Sequence, residues 1–351
     1  MQHRNIPLKT VRLAIVGLGN IGWRFLDNLQ KKETMLRERY ALSFRLVGAA
    51  DSRGAAHDQA GLDIPTIVQL KKKGQSVADY PGGQPKMSPL TLLQNVQADA
   101  LCEASPTNLT DGEPGLSCIR TALTRGMHVV TVNKGPLVLA FPELTALARQ
   151  QEVALKFCGT VCGGLPAINL GQRDLAGAVI SKLEALPNLT TSFILDRMAQ
   201  GQTYAEALAA AQAQGCAEAD PTLDVEGWDA ANKLVILANS VLGFPCTLAD
   251  VTVQGITGLT PADLAQAQAE NRVFKLVAAA IRQNDGHYTL TVGPTPLPAD
   301  HPLARLSGQQ MGIVYHTDIY GVISATILEE EPIPSAMAML RDLLSIYARP
   351  C

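Results

Sequence analysis

Short apolar runs at 11–16, 44–50, 98–102 and 127–132 alternate with longer stretches of mixed apolar and polar residues at 20–39, 116–125 and 142–150. The short runs predict strands, and the mixed stretches between them predict helices with one buried face. This alternation is the pattern of βαβ units around a parallel sheet, so residues 1–152 are expected to form a Rossmann-type, doubly wound α/β domain. From about 153 the rhythm changes to a Gly- and Pro-rich passage of strand and loop. It leads to helical stretches at 203–214 and 228–242, separated by acidic residues and Pro221. Thr203 with Glu206 three positions on makes a capping box, and Gly215 stands where a helix C-cap belongs. Residues 153–311 are therefore expected to form an α+β domain. Residues 312–351 hold a strand-like run at 312–328 and a last helix at 335–347, whose Met337, Leu340, Leu344 and Ile346 make one apolar stripe. The pattern leaves open where that helix docks.

A chain of 351 residues suits two domains, and 47% hydrophobic against 17% charged residues leaves enough apolar side chains for sizeable cores. The 29 basic and 32 acidic residues give a net charge of −3. No basic block exceeds Lys71-Lys72-Lys73, so the footprint of a nucleic-acid binder is missing. The richest apolar stretches are broken at Arg12, Asn133 and Asn239, so no membrane span is expected. Arg4, Lys9 and Arg12 ahead of the run from Leu13 imitate a secretory signal, but glycines cut that run and it continues into a helix pattern. The seven cysteines, Cys102, Cys118, Cys158, Cys162, Cys216, Cys246 and Cys351, are odd in number and lack a Cys-x-x-Cys, which points to reduced thiols in a cytoplasm. Cys158 and Cys162 alone make a weak case for a metal, whose presence stays unknown.

Gly17-Leu18-Gly19-Asn20-Ile21-Gly22 follows the first predicted strand and opens a helix, which is the context a dinucleotide fingerprint requires. Gly17 permits a tight turn, Gly19 lets backbone amides approach a pyrophosphate, and Gly22 allows close helix-to-strand packing. Asp51 ends the second predicted strand, where a carboxylate accepts hydrogen bonds from the adenosine ribose of NAD. Ser52 and Arg53 beside it would instead suit the 2′-phosphate of NADP, so both cofactors remain open. Between Trp228 and Gly243 the only charged residues are Asp229 and Lys233, spaced i to i+4 on one face of an otherwise apolar or neutral helix. On a surface such a pair would be worth about 0 to 1 kcal/mol, but this helix has little surface to offer. Burial would also make Lys233 a serviceable proton donor. Lys134 follows the strand at 127–132, at the edge of the sheet where ligands gather, though position alone also fits an ordinary loop lysine. Glu218, Asp220, Asp224 and Glu226 form an acidic loop that could bind an ammonium group or a divalent metal, or solvate a turn at Pro221.

Three segments resemble homoserine dehydrogenase: Ser105-Pro106-Thr107-Asn108 with Gly112-Glu113-Pro114-Gly115-Leu116, then Val130-Thr131-Val132-Asn133-Lys134-Gly135-Pro136, and most closely the run from Glu218 through Asp220, Asp224 and Asp229 to Lys233. The resemblance spans most of residues 11–350 and takes the form of the short members of the family. It implies NAD(P)-dependent interconversion of L-homoserine and L-aspartate 4-semialdehyde, with Lys233 and Lys134 handling the proton and Asp229 orienting the lysine. It also implies substrate contacts at Glu218, Asp224 and Thr190, and cofactor contacts at Gly17, Gly19, Asn20, Ile21, Gly22, Asp51, Ser52, Arg53, Ser105, Thr107 and Asn133. The resemblance further implies a homodimer acting on a small molecule, with 153–311 as the substrate and dimerisation domain and no room expected after the last helix for the regulatory domain of longer members.

The resemblance breaks at four places around the implied pocket. A family glutamate that helps bind a monovalent cation is replaced by Cys158 in Phe157-Cys158. A family glycine becomes Leu189 in Asn188-Leu189-Thr190-Thr191. A substrate-site tyrosine is Cys216, and a Gly-Ala-Gly loop beside the cofactor is Glu329-Glu330-Glu331, three charges that would repel a pyrophosphate. These changes keep two alternatives open: the same chemistry on a different small hydroxy acid or amino alcohol, and a non-catalytic NAD(P)-binding sensor.

Overall fold

The computed structural model describes residues 7–348. Arg4 and Cys351, used in the reading above, lie outside the described residues. The chain divides into two compact units, Met1–Gly164 with Pro332–Cys351, and Leu165–Glu331.

In the first unit, strands β1 (Lys9–Val16), β2 (Leu42–Asp51), β3 (Gly54–His57), β4 (Gln84–Pro85), β5 (Ala100–Glu103), β6 (His128–Thr131) and β7 (Leu155–Lys156) make one sheet in the order β4-β3-β2-β1-β5-β6-β7. The pairings β1 with β2, β1 with β5, β5 with β6 and β6 with β7 are parallel, and β3 and β4 add an antiparallel edge. Strand geometry sends successive side chains to opposite faces, and each face of this sheet has its own core. Val11, Leu13 and Ile15 of β1 enter one apolar cluster, whereas Ala14 and Val16 enter the other. The last helix, Ile333–Tyr347, packs into the first of these clusters through Met339, Leu340, Leu343 and Tyr347, so its docking partner is the nucleotide-type sheet.

The second unit carries β8 (Ile180–Leu186), β9 (Val251–Val253), β10 (Arg272–Arg282), β11 (Tyr288–Pro298), β12 (Gln310–Thr317) and β13 (Val322–Leu328) in the order β13-β12-β8-β10-β11-β9. All its pairings are antiparallel except β11 with β9. Helix Tyr204–Ala213 begins at the expected capping box, with Thr203 Oγ1 accepting from Glu206 N at 3.3 Å and Glu206 Oε2 accepting from Thr203 N at 2.8 Å.

Four elements differ from expectation. The stretch 20–39 is two helices, Gly22–Lys31 and Glu33–Tyr40, because the backbone leaves helical geometry at Lys32. The helix expected at 142–150 starts earlier, at Lys134, and is kinked at Ala140 ahead of Pro142, whose ring opposes a straight course. The run 312–328 is a hairpin turned by Gly321, whose φ of 72° suits glycine. Finally, the chain stays in the first unit beyond 152 because β7 pairs with β6, and of residues 312–351 the hairpin belongs to the second unit and the helix to the first.

Candidate active site

In the first unit β1 ends where Gly17 turns the chain with φ +89°, and a Cβ there would lie 2.3 Å from the backbone of Ala104. A Cβ on Gly22 would lie 2.0 Å from Gly17 O, so both glycines are demanded by the protein's own packing. Gly19 differs: it is exposed, and a Cβ there would meet nothing within 4 Å. Glycine at 19 therefore keeps open a space that no protein atom fills. Helix Gly22–Lys31 has Ile21 at its N-cap with no side-chain cap, which leaves first-turn amides for an anion. Asn20 is exposed, and its side chain accepts from Arg24. This cradle fits the pyrophosphate of a dinucleotide.

Asp51 sits at the end of β2, with its carboxylate already committed. Oδ1 accepts from Arg53 N at 3.0 Å and Ser76 Oγ at 2.8 Å, and Oδ2 accepts from Lys71 Nζ at 2.6 Å and Val77 N at 2.9 Å. Burial alone would raise this carboxyl, but Lys71, the two amides and Ser76 together hold it below the ordinary carboxylate range. A ribose hydroxyl can be accepted here only by displacing one of these donors. Ser52 is exposed, and Arg53 reaches Gly74 O at 2.8 Å.

At the carboxyl ends of β5 and β6 the organising residue is Glu103, which is fully buried and was not singled out by sequence reasoning. Ser105 donates to it through its amide at 2.9 Å and through its hydroxyl, and Thr131 Oγ1 donates at 2.8 Å. Burial pushes the Glu103 carboxyl up despite these donors. Asn133 Nδ2 reaches Ser105 Oγ at 3.2 Å, while Asn133 Oδ1 caps the helix of Lys134 by accepting from Gly135 N at 3.0 Å. Lys134 is thus the first residue of a helix rather than a loop lysine. Thr107 is exposed on the loop after β5.

In the second unit, helix Trp228–Ser240 presents Asp229 and Lys233 as anticipated, and both side chains are 13% exposed. The surface ion-pair reading is set aside on that figure. Lys233 Nζ donates to Asp229 Oδ2 at 2.7 Å and to Pro187 O at 2.6 Å. Asn188, the N-cap of helix Leu189–Met198, donates from Nδ2 to Asp224 Oδ1 at 2.6 Å and to Asp229 Oδ2 at 2.8 Å. Thr190 adjoins this group and donates to Cys216 O at 2.7 Å. Lys233, Asp229, Asp224 and Thr190 are thereby brought together around Asn188, which the sequence reading placed in the pocket segment without giving it a role. Glu218 stays outside: it is exposed, and among the described residues only its backbone carbonyl is engaged, by Gln212 Nε2 at 3.2 Å.

A family profile described as homoserine dehydrogenase matches residues 166–344, and one described as Glutamate/Leucine/Phenylalanine/Valine dehydrogenase matches residues 1–113. The chain is 36% identical over 337 residues to an NAD(+)-dependent homoserine dehydrogenase of Pseudomonas canavaninivorans, covering 96% of each chain. It is 37% identical over 336 residues to a homoserine dehydrogenase of Methanocaldococcus jannaschii, covering 95% of this chain and 98% of that one. The chain belongs to the homoserine dehydrogenase family. The crystal structure of a homoserine dehydrogenase from Thiobacillus denitrificans superposes with a TM-score of 0.84 at 28% identity, covering 97% of this chain and 74% of that one.

The positions expected to depart from the family pattern have structural employment of their own. Leu189 is the first residue of the helix capped by Asn188, and Cys216 serves through its carbonyl. Glu329 is buried in the second unit, with its amide donating to Gln309 O at 3.1 Å, while Glu330 and Glu331 are exposed. The six described cysteines form no disulfide. Among the described residues no helix is long and apolar enough to cross a membrane.

Proposed function

We propose that this member of the homoserine dehydrogenase family interconverts L-homoserine and L-aspartate 4-semialdehyde with a nicotinamide dinucleotide. The observation that carries the reading is the mostly buried ion pair of Lys233 and Asp229, joined through Asn188 to Asp224. Gly17, Gly19, Asn20, Ile21 and Gly22 would hold the pyrophosphate, and Ser105, Thr107 and Asn133 the nicotinamide half. Ser52 and Arg53 would face the adenosine ribose beside Asp51, whose carboxylate is committed to internal donors, and use of both NAD and NADP is expected. When bound, the dinucleotide supplies or accepts the hydride at its C4.

Every other task falls to side chains of the protein. As the aldehyde is reduced its oxygen gains negative charge, which the Lys233 ammonium stabilises before giving up a proton. Asp229 and the Pro187 carbonyl fix where that ammonium points, so little reorganisation accompanies the transfer. In the oxidative direction neutral Lys233 takes the hydroxyl proton. Asp224 and Glu218 would recognise the substrate ammonium, Thr190 would accept from it, and Lys134 would act as a second cation for the substrate. A cytoplasmic homodimer is the expected form; exposed Ile281, Ile319, Tyr320, Val322 and Leu328 of the second unit support association. The test is nicotinamide absorbance with purified protein and L-homoserine, alongside other hydroxy acids and amino alcohols. No turnover of homoserine where another substrate is oxidised would refute the assignment.

A further inference from the structure

Helix Ile333–Tyr347 places Arg341 against the loop 157–164 of the same unit. Arg341 Nη1 donates to Gly164 O at 2.9 Å and Nη2 to Cys158 Sγ at 3.4 Å. The next residue, Asp342, is 1% exposed and accepts the Cys158 amide at 2.8 Å, while Thr160 Oγ1 donates to Phe157 O at 2.7 Å. A guanidinium thus gathers acceptors of the loop, and a carboxylate takes one of its donors. Cys158, at 1% exposure, stands where the resemblance implies a glutamate that helps bind a monovalent cation.

The residues present do not fit that cation. A thiol is a poor ligand for a hard ion that prefers oxygen, and no described group of three His, Cys, Asp or Glu is suited to a metal. Arg341 also brings a full positive charge to the loop. Like charges a few ångströms apart in a partly buried place repel strongly, so an alkali ion cannot share it with the guanidinium. A guanidinium, by contrast, offers five donors in a planar fork, stays charged at any working pH, and being tethered is never diluted away.

We propose that Arg341 supplies from within the chain the positive charge that the family pattern assigns to a monovalent cation, so that loop 157–164 is held without an alkali ion. The inference rests on the family reading of the loop and not on homoserine as substrate. Melting curves therefore test it whatever the protein reduces.

The experiment compares the full chain in choline, lithium, sodium and potassium chlorides at equal ionic strength, by melting midpoint and by steady-state rate. The wild type should melt within about 1 °C in all four, with rates within about twofold. Arg341→Ala should melt roughly 3 °C or more lower and be rescued by millimolar methylguanidinium but not by sodium or potassium. Should that variant not fold, Arg341→Lys takes its place; it keeps the charge without the fork and should melt lower than wild type yet remain indifferent to alkali ions. A saturable rise of the wild-type midpoint in sodium or potassium, absent in choline, overturns the proposal. So does an unchanged midpoint in the arginine variant.

Discussion

Asp51 in the first unit and Asp229 in the second each pair with a lysine, at 2.6 Å to Lys71 and 2.7 Å to Lys233, yet the two carboxylates are built for different work. Asp51 accepts four hydrogen bonds, two on each oxygen, from a strand end, a helix and the turn at 76–77. It ties together pieces of backbone that would otherwise be separate. Asp229 instead receives Lys233 and Asn188 on the same oxygen, and its lysine lies one turn away on the same helix. That arrangement holds an ammonium group from the same helix, and the bond from Asn188, 41 residues away, fixes the carboxylate oxygen that receives it. An identical ion pair by composition can therefore be a brace or an instrument, and the kind of donor gathered around each carboxylate separates the two.

The sharpest way to break this contrast is to remove each lysine. Lys233→Ala should lower kcat by about 100-fold or more, the scale of lost acid–base assistance, with cofactor affinity near wild type. Lys233→Arg should restore little, since a guanidinium keeps the charge but cannot release its proton near neutrality. Lys71→Ala should leave kcat within a few-fold and act on stability instead. Equal losses of turnover in the two alanine variants would show that the pairs do not differ as argued.

Next in size is the glycine turn, where two neighbouring glycines should respond oppositely. Gly19→Val enters space that no protein atom occupies, so the melting point should hold while dinucleotide affinity falls about tenfold or more. Gly17→Ala puts a Cβ 2.3 Å from the Ala104 backbone at a φ of +89°, so the fold itself should suffer. A Gly19→Val protein that titrates with cofactor like wild type would remove the phosphate from this turn.

A smaller effect is expected at Asp51. Asp51→Ala leaves Lys71, Ser76 and two amides without their acceptor, a loss of about 1 to 3 kcal/mol in unfolding free energy. Because this carboxyl is held below its ordinary range, its contribution is fully present above the unfolded value near 3.8 and fades as pH falls through the folded one. Acid unfolding of the wild type should thus include a limb below about pH 4 that the alanine variant lacks. As the four bonds are internal, NAD and NADP affinities should weaken together. A selective loss of NAD would instead return Asp51 to the ribose.

These contrasts explain which parts of the molecule the sequence could disclose. The glycine turn and the strand that feeds it are local, and both were legible because sterics act within a few residues. The pairing of Asp229 with Lys233 was legible for the same reason, four positions on one helix. The role of Asn188 was not, because its partners Asp224 and Asp229 lie 36 and 41 residues away. The saturation of Asp51 depends on residues 71, 76 and 77, which no spacing rule connects to position 51. Helix Lys134–Gln150 was seen only in its second half, since Pro142 signals a start where the chain in fact kinks. Glu103 escaped notice because a carboxylate in an apolar strand reads as a strand end rather than as a buried centre.

Glu103 offers the smallest and most diagnostic effect. Its Oε1 accepts both donors of Ser105 and its Oε2 accepts Thr131 Oγ1, whose hydroxyl in turn receives the amide of Asn133 at 3.0 Å. In Glu103→Gln one carbonyl oxygen can still serve Ser105, but the new amide group faces Thr131, which must turn its proton away from its former acceptor. One hydrogen bond is rearranged, worth about 1 kcal/mol, so cofactor affinity should fall roughly three- to tenfold through Ser105 and Asn133. Turnover at saturating cofactor should change little, since Lys233 is untouched. The pH dependence supplies the check. Burial raises this carboxyl, so the folded protein holds its proton longer than the unfolded chain, and wild-type stability declines as pH rises from the ordinary glutamate range through the raised value. Glutamine has no proton to lose, and the variant should gain stability relative to wild type as pH rises across that window. Urea unfolding at several pH values measures the difference directly. A variant that instead loses ground with rising pH would mean that Glu103 works as a stabilising anion, and the burial cost argued for its charge would have to be abandoned.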